Sequence, residues 1–205
     1  MTKVSLIGDS VRLQYQPAVE KLLGAEYAVY GPNDNCRFAK YTLRGLFDWS
    51  EAMADSRIVH WNNGMWDICD LFGDGLFSTE EEYVQNMLRI ADILLARHEV
   101  VIFATTTPVK AENKYNKLES IRRYNDLIVP LLREKGVIIN DLYAACAADI
   151  DRYVAADTLH LSEDGIALCA QMVADCIKEA AAKLSAEKRP DAKALDPTGA
   201  PEMFM

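Results

Sequence analysis

Positive charge is in short supply along this chain: 22 Lys and Arg stand against 31 Asp and Glu in 205 residues, a formal net charge of -9. A surface that binds nucleic acid needs clustered Lys and Arg to displace counterions from phosphates, and no such cluster occurs. No apolar run approaches the roughly 20 residues that span a bilayer. Nor does the N-terminus show a basic segment followed by a long apolar core and a small-residue cleavage site. Neither nucleic acid nor membrane is an expected partner. The five cysteines, Cys36, Cys69, Cys146, Cys169 and Cys176, are odd in number and form no Cys-x-x-Cys pair. They read as reduced thiols of a cytoplasmic protein without a metal site. A Gly-x-Gly-x-x-Gly run and a P-loop are also missing, which removes the usual cradles for dinucleotides and nucleotides. Histidine is scarcest among the groups that move protons near neutral pH: only His60, His98 and His160 occur.

What the chain has in quantity is apolar sequence in short, punctuated runs. With 50% hydrophobic and 9% aromatic residues it can bury a full core as one domain, over about residues 1–186. Val4-Ser5-Leu6-Ile7, Tyr27 to Tyr30, Arg57 to Trp61, Val100 to Ala104 and Val137 to Asn140 read as five strands, most of them closed by a polar turn. Between them, helical spacing is expected over Val11–Leu23, with Pro17 in the first turn, and over Phe38–Met53. A third helix opens on a capping box, Ser78 with Glu81, and runs to Arg97. A fourth carries Ile121, Tyr124, Ile128 and Leu132 and should bend at Pro130, and the last runs from Ser162 to about Ala186. Strict alternation of strand and helix predicts a three-layer α/β/α sandwich with a five-stranded, mostly parallel sheet in the flavodoxin-like arrangement. The segment 187–205, rich in Pro and poor in periodicity, reads as a flexible extension or as an arm packing on a neighbour in a homo-oligomer.

The chemistry concentrates at the two ends of the domain. Gly8-Asp9-Ser10 follows the first strand directly, which puts a hydroxyl on the loop at a strand's carboxyl end, where open α/β sheets carry their ligand sites. Hydrolysis of an ester needs a nucleophile, a base, a group that orients the base, and donors for the oxyanion. His60 lies inside a strand and His98 at a helix end, so His160 is the candidate base, with Asp157 three residues before it to hold the imidazole. Ser10, His160 and Asp157 supply the first three roles.

Gly8-Asp9-Ser10 after a first strand and Asp157-x-x-His160 before a last helix resemble the first and last blocks of the GDSL/SGNH hydrolases. The resemblance covers about residues 1–180. It implies the flavodoxin-like fold of that family, a Ser10 nucleophile in a Ser10–His160–Asp157 triad, no metal or organic cofactor, and oxyanion donors from the serine N–H, a second-block Gly and a third-block Asn side chain. The middle blocks depart from the family pattern. Asn35, in Asn33-Asp34-Asn35-Cys36-Arg37, stands at the Gly position, where its backbone N–H can donate. Asn62-Asn63-Gly64 replaces Gly-x-Asn-Asp, leaving Asn62 and Asn63 both as candidates, with a lean to Asn62 because it directly follows the strand.

Asp9, Arg37 and Trp66 are candidate substrate contacts, Arg37 for an anionic or polyhydroxylated group and Trp66, with Met65 and Phe72, for stacking on a sugar or lining an acyl pocket. Trp61 reads as core. Compact loops without an apolar patch suited to a lipid surface point to a small acyl group, foremost an acetyl ester on a carbohydrate. Longer acyl chains, in a thioesterase or lysophospholipase-like enzyme, are the second expectation. A fold that has lost catalysis and only binds carbohydrate is the third.

Overall fold

In the computed structural model, which describes residues 1–184, five strands form one sheet: β1 (Thr2–Ile7), β2 (Tyr27–Tyr30), β3 (Ile58–Trp61), β4 (Val100–Ala104) and β5 (Ile138–Asn140). Their spatial order is β2-β1-β3-β4-β5, and every neighbouring pair is parallel. The helices are α1 (Ser10–Leu23), α2 (Ala39–Asp48), α3 (Ser50–Met53), α4 (Glu80–Arg97), α5 (Leu118–Glu134), α6 (Leu142–Ala147), α7 (Ile150–Tyr153) and α8 (Glu163–Ala181).

The period-two alternation of the strands divides two cores. Ile7, Val59, Trp61, Val101 and Phe103 face α2, α4 and α5, whereas Val4, Leu6, Ile102 and Ala104 face α1, α6 and α8. A parallel sheet covered on both faces needs apolar residues on both sides of each strand. Two polar residues interrupt them: Ser5 Oγ bonds Ser56 Oγ at 2.7 Å, and buried His60 meets Asn140 through Nε2 at 3.2 Å while its Nδ1 has no partner.

Several elements differ from the sequence expectation in instructive ways. Pro17 sits well inside α1 instead of in its first turn, on an exposed face, whereas Pro130 lies inside α5 as expected. Phe38–Met53 is two helices broken at Trp49. The capping box of α4 is Thr79 with Glu82, because the Ser78 hydroxyl is drawn to the Asp67 carboxylate at 2.8 Å. The tail 187–205 lies outside the described residues, as do residues 185 and 186 of the expected domain.

The chain winds from β1 outward to β2, then returns past β1 to β3, β4 and β5. The carboxyl end of β1 is therefore the point where the winding reverses, the place where open α/β sheets carry their ligand crevices. The turn leaving β1 is Gly8-Asp9-Ser10.

Candidate active site

Ser10 is the first residue of α1, and Asp9 caps that helix by accepting the Val11 N–H at 3.0 Å. Backbone N–H groups of a helix's first turn have no intrahelical partner, so the Ser10 hydroxyl sits beside the positive end of α1. Gly8 has no room for a side chain: a Cβ there would stand 1.8 Å from Asn62 Oδ1 and 2.8 Å from Arg12 Cβ.

His160 and Asp157 reach this turn from the loop between α7 and α8. His160 Nε2 lies 2.9 Å from Ser10 Oγ, and its Nδ1 lies 2.7 Å from Asp157 Oδ2. The other carboxylate oxygen accepts the N–H groups of Leu159 at 3.0 Å and His160 at 2.9 Å. Partial burial works against the Asp157 charge, but these two N–H bonds and the imidazole outweigh it and hold its pKa below the ordinary carboxylate value.

The loop is held in an unusual shape. Thr158 has φ 74, a left-handed conformation costly for a β-branched residue. Three bonds fix it: its N–H donates to Ala155 O at 3.1 Å, its carbonyl accepts Lys110 N–H at 2.9 Å, and its hydroxyl accepts Asn113 Nδ2 at 3.1 Å. Asn113 also ties its own loop by accepting the Tyr115 and Asn116 N–H groups.

The middle loops complete the site, with several sequence candidates in other surroundings than expected. Asp9, a candidate substrate contact in the sequence, is 1% exposed, and its carboxylate caps α1 beneath the Ser10 turn. Burial raises its pKa, against bonds from the Asn62 amide and Val11 N–H and the charge of Arg12. Asn62 packs on Gly8 and Asp9, next to Ser10, and its N–H donates to Ile7 O at 3.0 Å. Asn63 is a brace: its Oδ1 accepts Trp61 Nε1 at 2.7 Å and its Nδ2 donates to Arg37 O at 2.9 Å. Asn35 uses its side chain to accept the Arg37 N–H at 2.8 Å. The left-handed residue of that loop is Arg37, with φ 49, and not Asn35, so the position where a glycine fits most easily is 37.

Sequence reading missed the groups that hold these loops. Buried Arg12 donates to the carbonyls of Gly8 at 3.3 Å, Pro32 at 3.0 Å and Asp34 at 2.6 Å, tying the loop after β2 to the Gly8-Asp9-Ser10 turn. Its signal was indirect: a turn-rich stretch such as 31–35 leaves carbonyls in need of donors. Asp67 accepts the Ala39 N–H at 3.0 Å and so caps α2, whose own cap residue Phe38 has no acceptor side chain. Burial raises the Asp67 pKa to about 7 despite these bonds.

Trp66 is half-exposed and Trp61 is core, packed on Phe103 with ring centroids 4.9 Å apart. Contrary to the expectation of loops without apolar surface, Leu71, Phe72 and Phe77 are exposed along the loop that follows Trp66. Burial drives the pKa of His60 down to about 3, so it is neutral inside the sheet. Among the described residues, no group of three His, Cys, Asp or Glu is placed to hold a metal ion, and no helix is long and apolar enough to cross a membrane.

No family model and no curated protein matches the sequence. Solved structures do match the fold. A lipase/acylhydrolase from Enterococcus faecalis superposes with TM-score 0.75 at 18% identity, over 92% of this chain and 100% of that one. This chain has its fold. A member of the lipolytic G-D-S-L family from Veillonella parvula superposes with TM-score 0.71 at 16% identity, over 87% of this chain and 99% of that one. An acetylxylan esterase from Geobacillus stearothermophilus does so with TM-score 0.66 at 15% identity, over 87% and 93%. The three-layer α/β/α sandwich with a parallel five-stranded sheet, expected from the alternation of strands and helices, is therefore the architecture the chain adopts and shares with these structures.

Proposed function

We propose that this protein is a serine carboxylic-ester hydrolase of the GDSL/SGNH type. The observation that carries the proposal is the unbroken line of hydrogen bonds Ser10–His160–Asp157, set where the winding of the sheet reverses. In this reading Ser10 Oγ attacks the ester carbonyl while His160 Nε2 takes its proton, and Asp157 keeps the other proton on Nδ1 and steadies the imidazolium. The same proton then passes to the departing alkoxide, leaving an acyl-enzyme. A water molecule, deprotonated by His160, attacks the acyl carbon, and the acid leaves as Ser10 recovers its proton. The oxyanion donors we assign are the N–H of Ser10, at the start of α1, and the backbone N–H of Asn35. Of the two amides, Asn62 is the candidate third donor because it packs on the Gly8-Asp9 turn, where its NH2 can give one hydrogen to Asp9 and the other to the oxyanion, whereas the Asn63 amide braces Trp61 and Arg37.

A short acyl group, foremost acetyl on a carbohydrate, is the preferred substrate. The structural neighbour from Geobacillus stearothermophilus carries the name acetylxylan esterase, and half-exposed Trp66 offers a stacking face for a sugar. One observation favours a second reading, hydrolysis of longer acyl chains: the apolar side chains Leu71, Phe72 and Phe77 exposed along the loop after Trp66. Release of acid from p-nitrophenyl acetate through decanoate and from acetylated xylosides, compared between the wild type and Ser10→Ala, tests both. Acetate release that Ser10→Ala abolishes supports the esterase, and the chain-length profile chooses between the readings. Equal turnover by wild type and variant refutes the Ser10 assignment. Unaltered sugar binding with no ester cleaved would point to a binding protein instead.

A further inference from the structure

The second-block loop, which is bonded to the Gly8 turn, carries an exposed cation, Arg37, that the esterase reading does not require. Cys36 donates its N–H to Gly8 O at 3.1 Å, so Arg37 is one residue away from direct contact with the nucleophile turn. Its backbone is held from both sides, the N–H by Asn35 and the carbonyl by Asn63. Its φ of 49 is a conformation that a non-glycine residue adopts at a cost, and such strain concentrates at ligand sites. The result is a side chain whose guanidinium lies 4.7 Å over the Tyr41 ring.

Stacking uses the face of the guanidinium and leaves its edge donors for another group. Among the described residues no carboxylate forms an ion pair with Arg37. The nearby acid, Asp34, accepts the Tyr41 hydroxyl on one carboxylate oxygen and forms no ion pair with Arg37. The protein as a whole, with a net charge of -9, repels anions. A single unpaired, exposed and pre-stacked guanidinium in that background is a selective feature.

We infer that Arg37 is a specificity-determining residue that receives a negatively charged group, a carboxylate or a phosphate, carried by the ester substrate. The inference rests on the Ser10 esterase reading for its catalytic meaning. Charge-assisted bonds from the guanidinium edge, bidentate for a carboxylate, would fix the anionic substituent while the ester carbonyl lies against Ser10.

The test compares phenyl acetate, 4-acetoxybenzoate and 4-acetoxyphenyl phosphate on the wild type, Arg37→Gln, Arg37→Lys and Arg37→Gly, the last keeping the left-handed backbone without strain. The expected result is that Arg37→Gln and Arg37→Gly lower kcat/KM, mainly through KM, at least tenfold more on one or both anionic esters than on phenyl acetate. Arg37→Lys should be intermediate, and the difference should shrink as salt is raised. Comparing the two anionic esters shows whether the site takes carboxylate or phosphate. Equal losses on all three esters, or none, would overturn the inference while leaving the esterase reading intact. If no ester is turned over through Ser10, calorimetric binding of benzoate and phenyl phosphate to the wild type and Arg37→Gln decides the anion site by itself. Binding that Arg37→Gln does not weaken refutes it.

Discussion

Replacing Asp157 by Asn is the perturbation for which the structure makes the sharpest statement. In the native loop one carboxylate oxygen accepts two backbone N–H groups and the other faces His160 Nδ1. An asparagine has one oxygen, and the two N–H donors pin it on the backbone side. Its NH2 then faces Nδ1, which must become an acceptor, so the ring proton moves to Nε2 and no lone pair faces Ser10. Turning the amide over to restore the right tautomer would set two N–H donors against an NH2, at about 1–3 kcal/mol for each bond lost. The lost charge adds less, because the Asp157 side chain is 52% exposed and solvent screens it. We expect kcat/KM on a short-chain ester to fall roughly 10³ to 10⁴-fold, about 4–5.5 kcal/mol of transition-state stabilisation. Asp157→Ala, which leaves the ring free to choose its tautomer, should retain more activity than Asp157→Asn. Steady-state kinetics on both variants, with circular dichroism to confirm folding, is the assay. An Asp157→Asn enzyme within about tenfold of the wild type, or one more active than Asp157→Ala, would refute this reasoning.

Three further outcomes follow from the loops around the site. Gly8→Ala places a Cβ against Asn62 and Arg12 and should destabilise the fold by about 1–3 kcal/mol in urea unfolding, while slowing ester turnover. Asn113→Ala removes the support of Thr158 and should cost about 1–3 kcal/mol, with kcat falling more than KM rises because the loop carrying His160 loosens. Asp67 has a folded-state pKa of about 7 against an ordinary 3.8, so the folded state binds its proton more tightly than the unfolded chain does. Its contribution is therefore fully present below about pH 4 and is lost as pH rises to 7, by up to about 4 kcal/mol. The difference in unfolding free energy between wild type and Asp67→Asn should shift in that direction between pH 4 and 8, and a flat difference would contradict it.

Features coded by nearby residues were legible in the sequence. The bounds of β2 and β4 follow from short apolar runs between turns, and the Asp157-x-x-His160 pair is a three-residue spacing that one loop can satisfy by itself. Ser10 was legible because the turn after a first strand fixes where its hydroxyl stands. What was not legible depends on contacts distant in sequence. Ser78 and Thr79 each precede a Glu by three residues, and only the reach of Asp67 for Ser78 decides which caps α4. Asp9 reads as an accessible polar residue until Asn62 and Arg12 are seen packed around the Gly8 turn beside it. The left-handed conformation of that loop fell on Arg37 because hydrogen bonds from Asn63 and to Asn35 hold a conformation that residue type alone disfavours.

The central claim is that Ser10 is the nucleophile of an acyl-transfer site, and covalent labelling tests it most directly. A fluorophosphonate reacts only with a serine whose proton a neighbouring base can take. The account predicts one adduct per chain, found by mass spectrometry on the peptide containing Ser10 and absent in Ser10→Ala and strongly reduced in His160→Ala. A wild-type protein that hydrolyses esters yet carries no adduct on Ser10, or carries it on another residue, would contradict the account.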